Sequence, residues 1–224
     1  MYRALTAFFL IALSFAAQAQ VAPSASQIAA YEGLQLAAHN NDTAEIARLV
    51  AQGADVNARD SRERTPAHVA AFASNEAALT ALARAGADMS ALEGGLYDVV
   101  TIAAVANDPE MVTLAIELGN RADLTTSVYD GTALIAAAHL GHHEVVRRLI
   151  RGGAPLDHIN NLHWTALIEA VVLGDGGPDH QETVRALVEA GADASITDRD
   201  GVTPLAHAKA RGYSEIVAIL TAAE

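Results

Sequence analysis

The chain has 224 residues, no cysteine, and 27 acidic against 14 basic residues, a formal net charge of −13. Disulfides, thiol nucleophiles and cysteine-based zinc sites are excluded, and so is attraction to nucleic acid or anionic lipid through a general field. Such a charge steers a chain toward a basic partner, and it equally keeps an exported protein soluble.

Residues 1–19 read as an export signal. Arg3 supplies a short positive end, Ala4 to Ala16 is apolar, and Ala17-Gln18-Ala19 fits a small-residue cleavage site cut after Ala19. The apolar run is too short for a good membrane span. Residues 20–27 (Q-V-A-P-S-A-S-Q) are expected to be a flexible leader. The mature chain is then expected to be periplasmic or secreted, bacterial, monomeric and free of the membrane.

From residue 28 to 224 one pattern recurs, and it is clearest between Asp130 and Asp157. Thr132 opens a short apolar run, Gly141-His142 breaks it, and Val145, Val146, Leu149 and Ile150 recur at helical spacing before Gly153-Ala154. This is helix, turn, helix, then a loop. The opening position is held by Glu32, Thr65, Asp98, Thr132, Thr165 and Thr203, at intervals of 33, 33, 34, 33 and 38 residues. The last interval is long because the fifth unit carries an insertion, 174–180. Thr before a first helix caps free N–H groups, Pro66 and Pro204 lose no hydrogen bond at a first helical position, and Gly ends each second helix. One unit cannot bury its own apolar face, so the units must stack.

With its Thr-Pro openings and its period of about 33 residues, the chain resembles exported bacterial ankyrin-repeat proteins over nearly all its mature length. The resemblance implies an all-α solenoid of about six stacked helix-turn-helix units with β-turn or hairpin loops. It also implies a concave partner-binding face, lined by loop tips and first helices. The column just before each opening residue holds Tyr31, Arg64, Tyr97, Gly131, Trp164 and Val202. Tyr129 stands in the lengthened loop before Gly131. The columns seven and eight residues after the opening include Phe72, His139, Leu140 and Leu173. Beyond residue 19, five aromatics (Tyr31, Phe72, Tyr97, Tyr129, Trp164) fall at these places and only Tyr213 does not. Exposed aromatics on a rigid surface bury much area for little entropy, and Arg62 and Arg64 add charge-assisted contacts. The expected partner-binding set is therefore Tyr31, Arg62, Arg64, Phe72, Tyr97, Tyr129, His139, Leu140, Trp164 and Leu173.

Other chemistry is weakly signalled. His139, His142 and His143 suggest a metal edge, but no acidic ligand is fixed by spacing. Asp175, Asp179 and His180 in the insertion lack calcium-loop spacing and are expected to form a solvated loop. His68, at the family's T-P-x-H position, is expected to bond backbone or Thr65. No nucleophile, phosphate-loop or dinucleotide motif is present, so neither catalysis nor a cofactor is expected. The leading expectation is a non-enzymatic periplasmic module holding one protein partner. Some relatives are linked by resemblance to oxidative-stress defence beside catalase, so the module would protect or assemble such an enzyme. Two alternatives stay open: an immunity-type inhibitor of a basic exported toxin, and a metal-dependent protein using the His139/His142/His143 edge.

Overall fold

A computed structural model describes residues 20–223; the expected signal peptide lies outside them. After a single helical turn, α1 (Ala25–Ile28), six helix pairs follow. They are α2 (Gly33–His39) with α3 (Thr43–Ala51), α4 (Pro66–Phe72) with α5 (Glu76–Arg84), and α6 (Val99–Val105) with α7 (Pro109–Glu117). Next come α8 (Ala133–His139) with α9 (His143–Arg151), α10 (Ala166–Val172) with α11 (Pro178–Glu189), and α12 (Pro204–Arg211) with α13 (Ser214–Thr221). First helices pack on first helices and second on second, giving two helical layers. Among the described residues no helix is long and apolar enough to cross a membrane.

Each residue that marked a unit in the sequence is the N-cap of a first helix. Thr132, Thr165 and Thr203 accept from the N–H three residues on, at 3.3, 3.2 and 3.2 Å. Asp98 does the same toward Thr101 at 2.8 Å. Each of the first five second helices closes on a left-handed glycine, such as Gly86 at φ 93°, after which Ala87 N–H donates back to the Leu82 carbonyl at 3.0 Å. Paired alanines such as Ala70 and Ala71 are buried, so neighbouring first helices approach closely, and Leu79, Ile102, Leu134, Leu149 and Leu167 fill the space between the layers.

The leader differs from expectation. Ser24 and Gln27 form a reciprocal capping box that closes α1, so residues 24–28 make a defined turn. Val21 then offers its carbonyl to the Arg64 guanidinium.

Two buried polar pairs hold the openings of the second and third units. His68 Nδ1 accepts from Thr65 N–H at 3.1 Å and from its hydroxyl at 2.8 Å, while Nε2–H donates to the Ala91 carbonyl at 2.9 Å. Desolvation lowers the His68 pKa from 6.5 to about 4, holding the ring neutral. In the third unit Asp98 and Asn120 replace that pair, with Asn120 Nδ2 donating to Asp98 at 2.7 Å. Burial pushes the Asp98 carboxyl above its ordinary value, opposed by the donors of Thr101 and Asn120.

A histidine neutral when folded but free to protonate when unfolded makes the unfolded chain bind the extra proton between the two pKa values. The stabilisation is complete above 6.5 and is lost as pH falls toward about 4. It amounts to about 3 kcal/mol in all. In His68→Gln, which keeps an acceptor for Thr65 N–H, urea midpoints should converge on wild type as pH falls through this window. Parallel midpoints from pH 7 to 4 would refute the assignment.

Candidate partner-binding surface

The loops joining the units share one local design. Asp60, Glu93, Asn160 and Asp198 each stand five residues before a unit opens. One side-chain oxygen of each accepts two backbone N–H groups of its own loop, as when Asp198 Oδ1 takes those of Asp200 and Val202 at 2.9 Å. In the lengthened loop Ser127 Oγ plays this part for Tyr129 and Gly131. Two residues before each opening from the second unit on, the chain turns left-handed: Glu63, Leu96, Asp130, His163 and Gly201 have φ of 59, 64, 53, 67 and 75°.

The loops are also tied to one another. Gly94 N–H donates to the Arg62 carbonyl, Ser127 to Leu96 and Asn161 to Tyr129, each at 2.9 Å, and Arg199 reaches the Asn161 carbonyl. The loop tips therefore form a continuous edge.

On this edge Arg62 is exposed, while Tyr97, Tyr129 and Trp164 are half-buried with part of each side chain in solvent. Leu140 and Leu173, at the ends of α8 and α10, are exposed. Phe72 is half-buried, packed against the core. Two expected surface residues are not at the surface. Tyr31 is 7% exposed, packed beside His39, and Arg64 is 1% exposed. Arg64 is held there from two sides: the Val21 carbonyl of the leader caps its guanidinium, which lies 5.0 Å over the Phe72 ring. Sequence reasoning missed Leu96 and Val128, loop-tip residues 44% and 48% exposed. Their signal was an apolar residue at a turn position where Gly, Asp or Asn is usual.

The three clustered histidines face apart. His139 Nδ1 meets Glu169 at 3.3 Å, His142 Nδ1 donates to the Ala104 carbonyl at 3.0 Å, and His143 Nδ1 lies 3.6 Å from Asp179. Among the described residues no group of three or more histidine or acidic side chains is placed to hold a metal ion.

The insertion is not the free loop expected. Asp175 is exposed, but His180 is only 12% exposed; its Nδ1 pairs with Asp175 at 3.0 Å and its Nε2 donates to the His139 carbonyl at 3.0 Å. Tyr213 donates to the Gly174 carbonyl at 2.9 Å. His180 thus fills the place that Asn75 and His142 hold in their own units, tying each second helix to the unit before. A Cβ on Gly174 would lie 2.2 Å from the Ala170 carbonyl oxygen and 2.5 Å from the His180 ring. Gly174→Ala should cost about 1–3 kcal/mol, read as a fall in Tm of roughly 2–4 °C per kcal/mol; an unchanged Tm would show that the insertion tolerates displacement.

The chain matches a family model described as ankyrin repeats (3 copies) over residues 100–198 and a second, ankyrin repeats (many copies), over 34–83. It is 33% identical over 190 residues to the putative ankyrin repeat protein YahD of Escherichia coli K12, spanning 84% of this chain and 94% of that one. The chain is an ankyrin-repeat protein. Its repeats superpose on the crystal structure of an ankyrin repeat domain, ABAYE2397, from Acinetobacter baumannii AYE, with a TM-score of 0.80 and 39% identity, over 85% of this chain and 96% of that one. The fold also matches a chain in the complex of the predatory endopeptidase Bd0816 from Bdellovibrio bacteriovorus with immunity protein Bd3460. There the TM-score is 0.71 at 21% identity, over 87% of this chain and 99% of that one, a likeness of fold alone. An ankyrin-repeat stack is a protein–protein interaction module.

Proposed function

We propose that this ankyrin-repeat protein is a non-enzymatic scaffold working in the bacterial periplasm, where it holds one protein partner along the loop-tip edge and the ends of α8 and α10. The observation that carries this reading is Leu96, a large apolar side chain 44% exposed on a left-handed backbone, beside exposed Val128. A leucine in that conformation costs stability and exposes apolar area, and such cost is retained where a surface has a task. Half-open Tyr97, Tyr129 and Trp164 extend the strip with rings suited to anchoring a partner. The periplasmic placement rests on the export-type pattern of residues 1–19. By family resemblance the partner is an enzyme of oxidative-stress defence that the scaffold protects or assembles. The acidic balance favours a basic partner, and an exported toxin in that place would make the scaffold an immunity-type inhibitor.

Affinity capture from periplasmic extract tests the reading, with wild type set against a Tyr129→Ala/Trp164→Ala variant matched by circular dichroism. A protein held by wild type and lost by the variant supports the site and, once identified, separates protected enzyme from toxin. Equal capture by both moves the site away from the loop tips. N-terminal sequencing of the osmotic-shock fraction should begin at Gln20; a chain retained in the cytoplasm with its first residues intact would remove the periplasmic assignment.

A further inference from the structure

Arg64 is the largest fully buried side chain of the stack, yet its Nε and Nη1 have no hydrogen-bond partner. Its Nη2 donates to the Val21 carbonyl. The nearest carboxylate, Glu93, stands 4.0 Å from Nε through Oε2, while its Oε1 is spent on the N–H of Gly95 at 2.7 Å. Tyr31 Oη and Gln20 Nε2 are likewise buried and unpartnered. Burial raises the Tyr31 phenol above its ordinary value, opposed by the neighbouring Arg64 N–H groups and charge, and Gln20 precedes the residue that caps Arg64. Four of the six buried unpartnered side-chain atoms among the described residues thus belong to this corner. A guanidinium buried with two idle donors is expensive to keep.

The corner opens on a cleft of about 570 Å³ between the loops of the second and third units, bordered by Val21, Arg64, Glu93 and Val128. The cleft therefore continues into the loop-tip edge. Its cover is lightly held. Val21 is 58% exposed, α1 buries no residue, and among the described residues the bond from Arg64 is the hydrogen bond joining residues 20–27 to the repeat stack. Segments tied by so few contacts open at low free-energy cost.

The donor set selects the ligand. With Val21 displaced, Nη2–H completes a fork with Nε–H or with Nη1–H that matches a carboxylate, and the Tyr31 hydroxyl stands beside it. Glu93 already offsets part of the positive charge, which disfavours a phosphate dianion and leaves room for a single negative charge. The Val21 carbonyl shows that peptide backbone fits over the site.

We propose that Arg64 anchors a carboxylate on an extended peptide segment of the partner, and that the leader at Val21 occupies this seat until the segment displaces it. The inference deepens the scaffold reading above and rests on it.

Three probes test it: acetyl-Gly-Ala-Val-Ala with a free C-terminal carboxylate, the same peptide amidated, and the amide with Asp in place of the last Ala. Each is titrated into the full mature chain, into Arg64→Met, and into a variant lacking residues 20–23, following the Arg64 Nε–H resonance by NMR. The free acid should shift that resonance and bind about tenfold more tightly than the plain amide. Binding should tighten without residues 20–23 and vanish in Arg64→Met. Binding by the Asp amide at the strength of the free acid assigns the site to side-chain carboxylates; its failure assigns the site to chain termini. Equal binding of acid and plain amide, or no movement of the Arg64 resonance in wild type and deletion variant alike, overturns the proposal even if Arg64→Met does not fold. Capture of the native partner separates the two readings. Retention by Arg64→Met with loss by Leu96→Asp discards the anchor and keeps the scaffold, whereas retention by both discards the scaffold reading itself.

Discussion

Leu96→Asp should weaken capture of the partner by about 2 kcal/mol or more, roughly 30-fold, with no loss of helix content. Leu96 lies on the loop-tip edge, 44% exposed, and its own carbonyl accepts the Ser127 N–H of the next loop. A carboxylate there replaces apolar contact with a charge that must be desolvated on binding. The backbone tie is untouched, because it involves no side-chain atom. A companion change sharpens the prediction. Leu96 has φ 64°, where the sixth unit has Gly201 at φ 75°. A left-handed L-residue costs roughly 1–2 kcal/mol, so Leu96→Gly should raise the urea midpoint while weakening the partner. Stability and binding then move in opposite directions at one position. If Leu96→Gly leaves partner binding unchanged, the leucine is incidental and the face must be sought elsewhere.

Leu134→Ala should cost about 2–5 kcal/mol, the largest single effect expected on the fold. Leu134 is 0% exposed in α8, within the apolar cluster that runs through the repeats, at the middle of the array. Loss of its side chain leaves a hole bounded by helices of three units, which cannot collapse without shifting the rest. Since each repeat is stabilised mainly by its neighbours, the damage should spread to the fifth unit before the second. Hydrogen exchange should therefore rise in the fourth unit and its neighbours, α6, α7, α10 and α11, before the outer units. A denaturation midpoint equal to wild type would contradict the register of the repeats.

The repeats were legible because their punctuation is local chemistry. Thr132, Thr165 and Thr203 cap the helices they were expected to open, and even the atypical Asp98 does so. Tyr97, Tyr129 and Trp164 stand half-buried in the loops that precede their units. The sequence could not reveal the capping of Arg64, because that depends on a leader folding back across more than forty positions. Nor did it reveal the role of His180, since the insertion moved that residue out of register with His142. His207 shows the same limit. It pairs with Asp198 at 2.7 Å, a partner nine residues earlier that no motif marks. Contacts set by the spacing of a repeat could be read from the sequence, while contacts made by departures from that spacing required coordinates.

Each loop tip takes its shape from an oxygen five residues before the unit and from ties to the neighbouring loops. The left-handed residue joins these ties through its backbone, as Leu96 does toward Ser127, so side chains as different as Glu, Leu, Asp, His and Gly all serve there. The backbone is thus a fixed type bed and the side chains are movable type. A lineage can reset what this edge displays one position at a time, acquiring a new partner without passing through an unfolded intermediate.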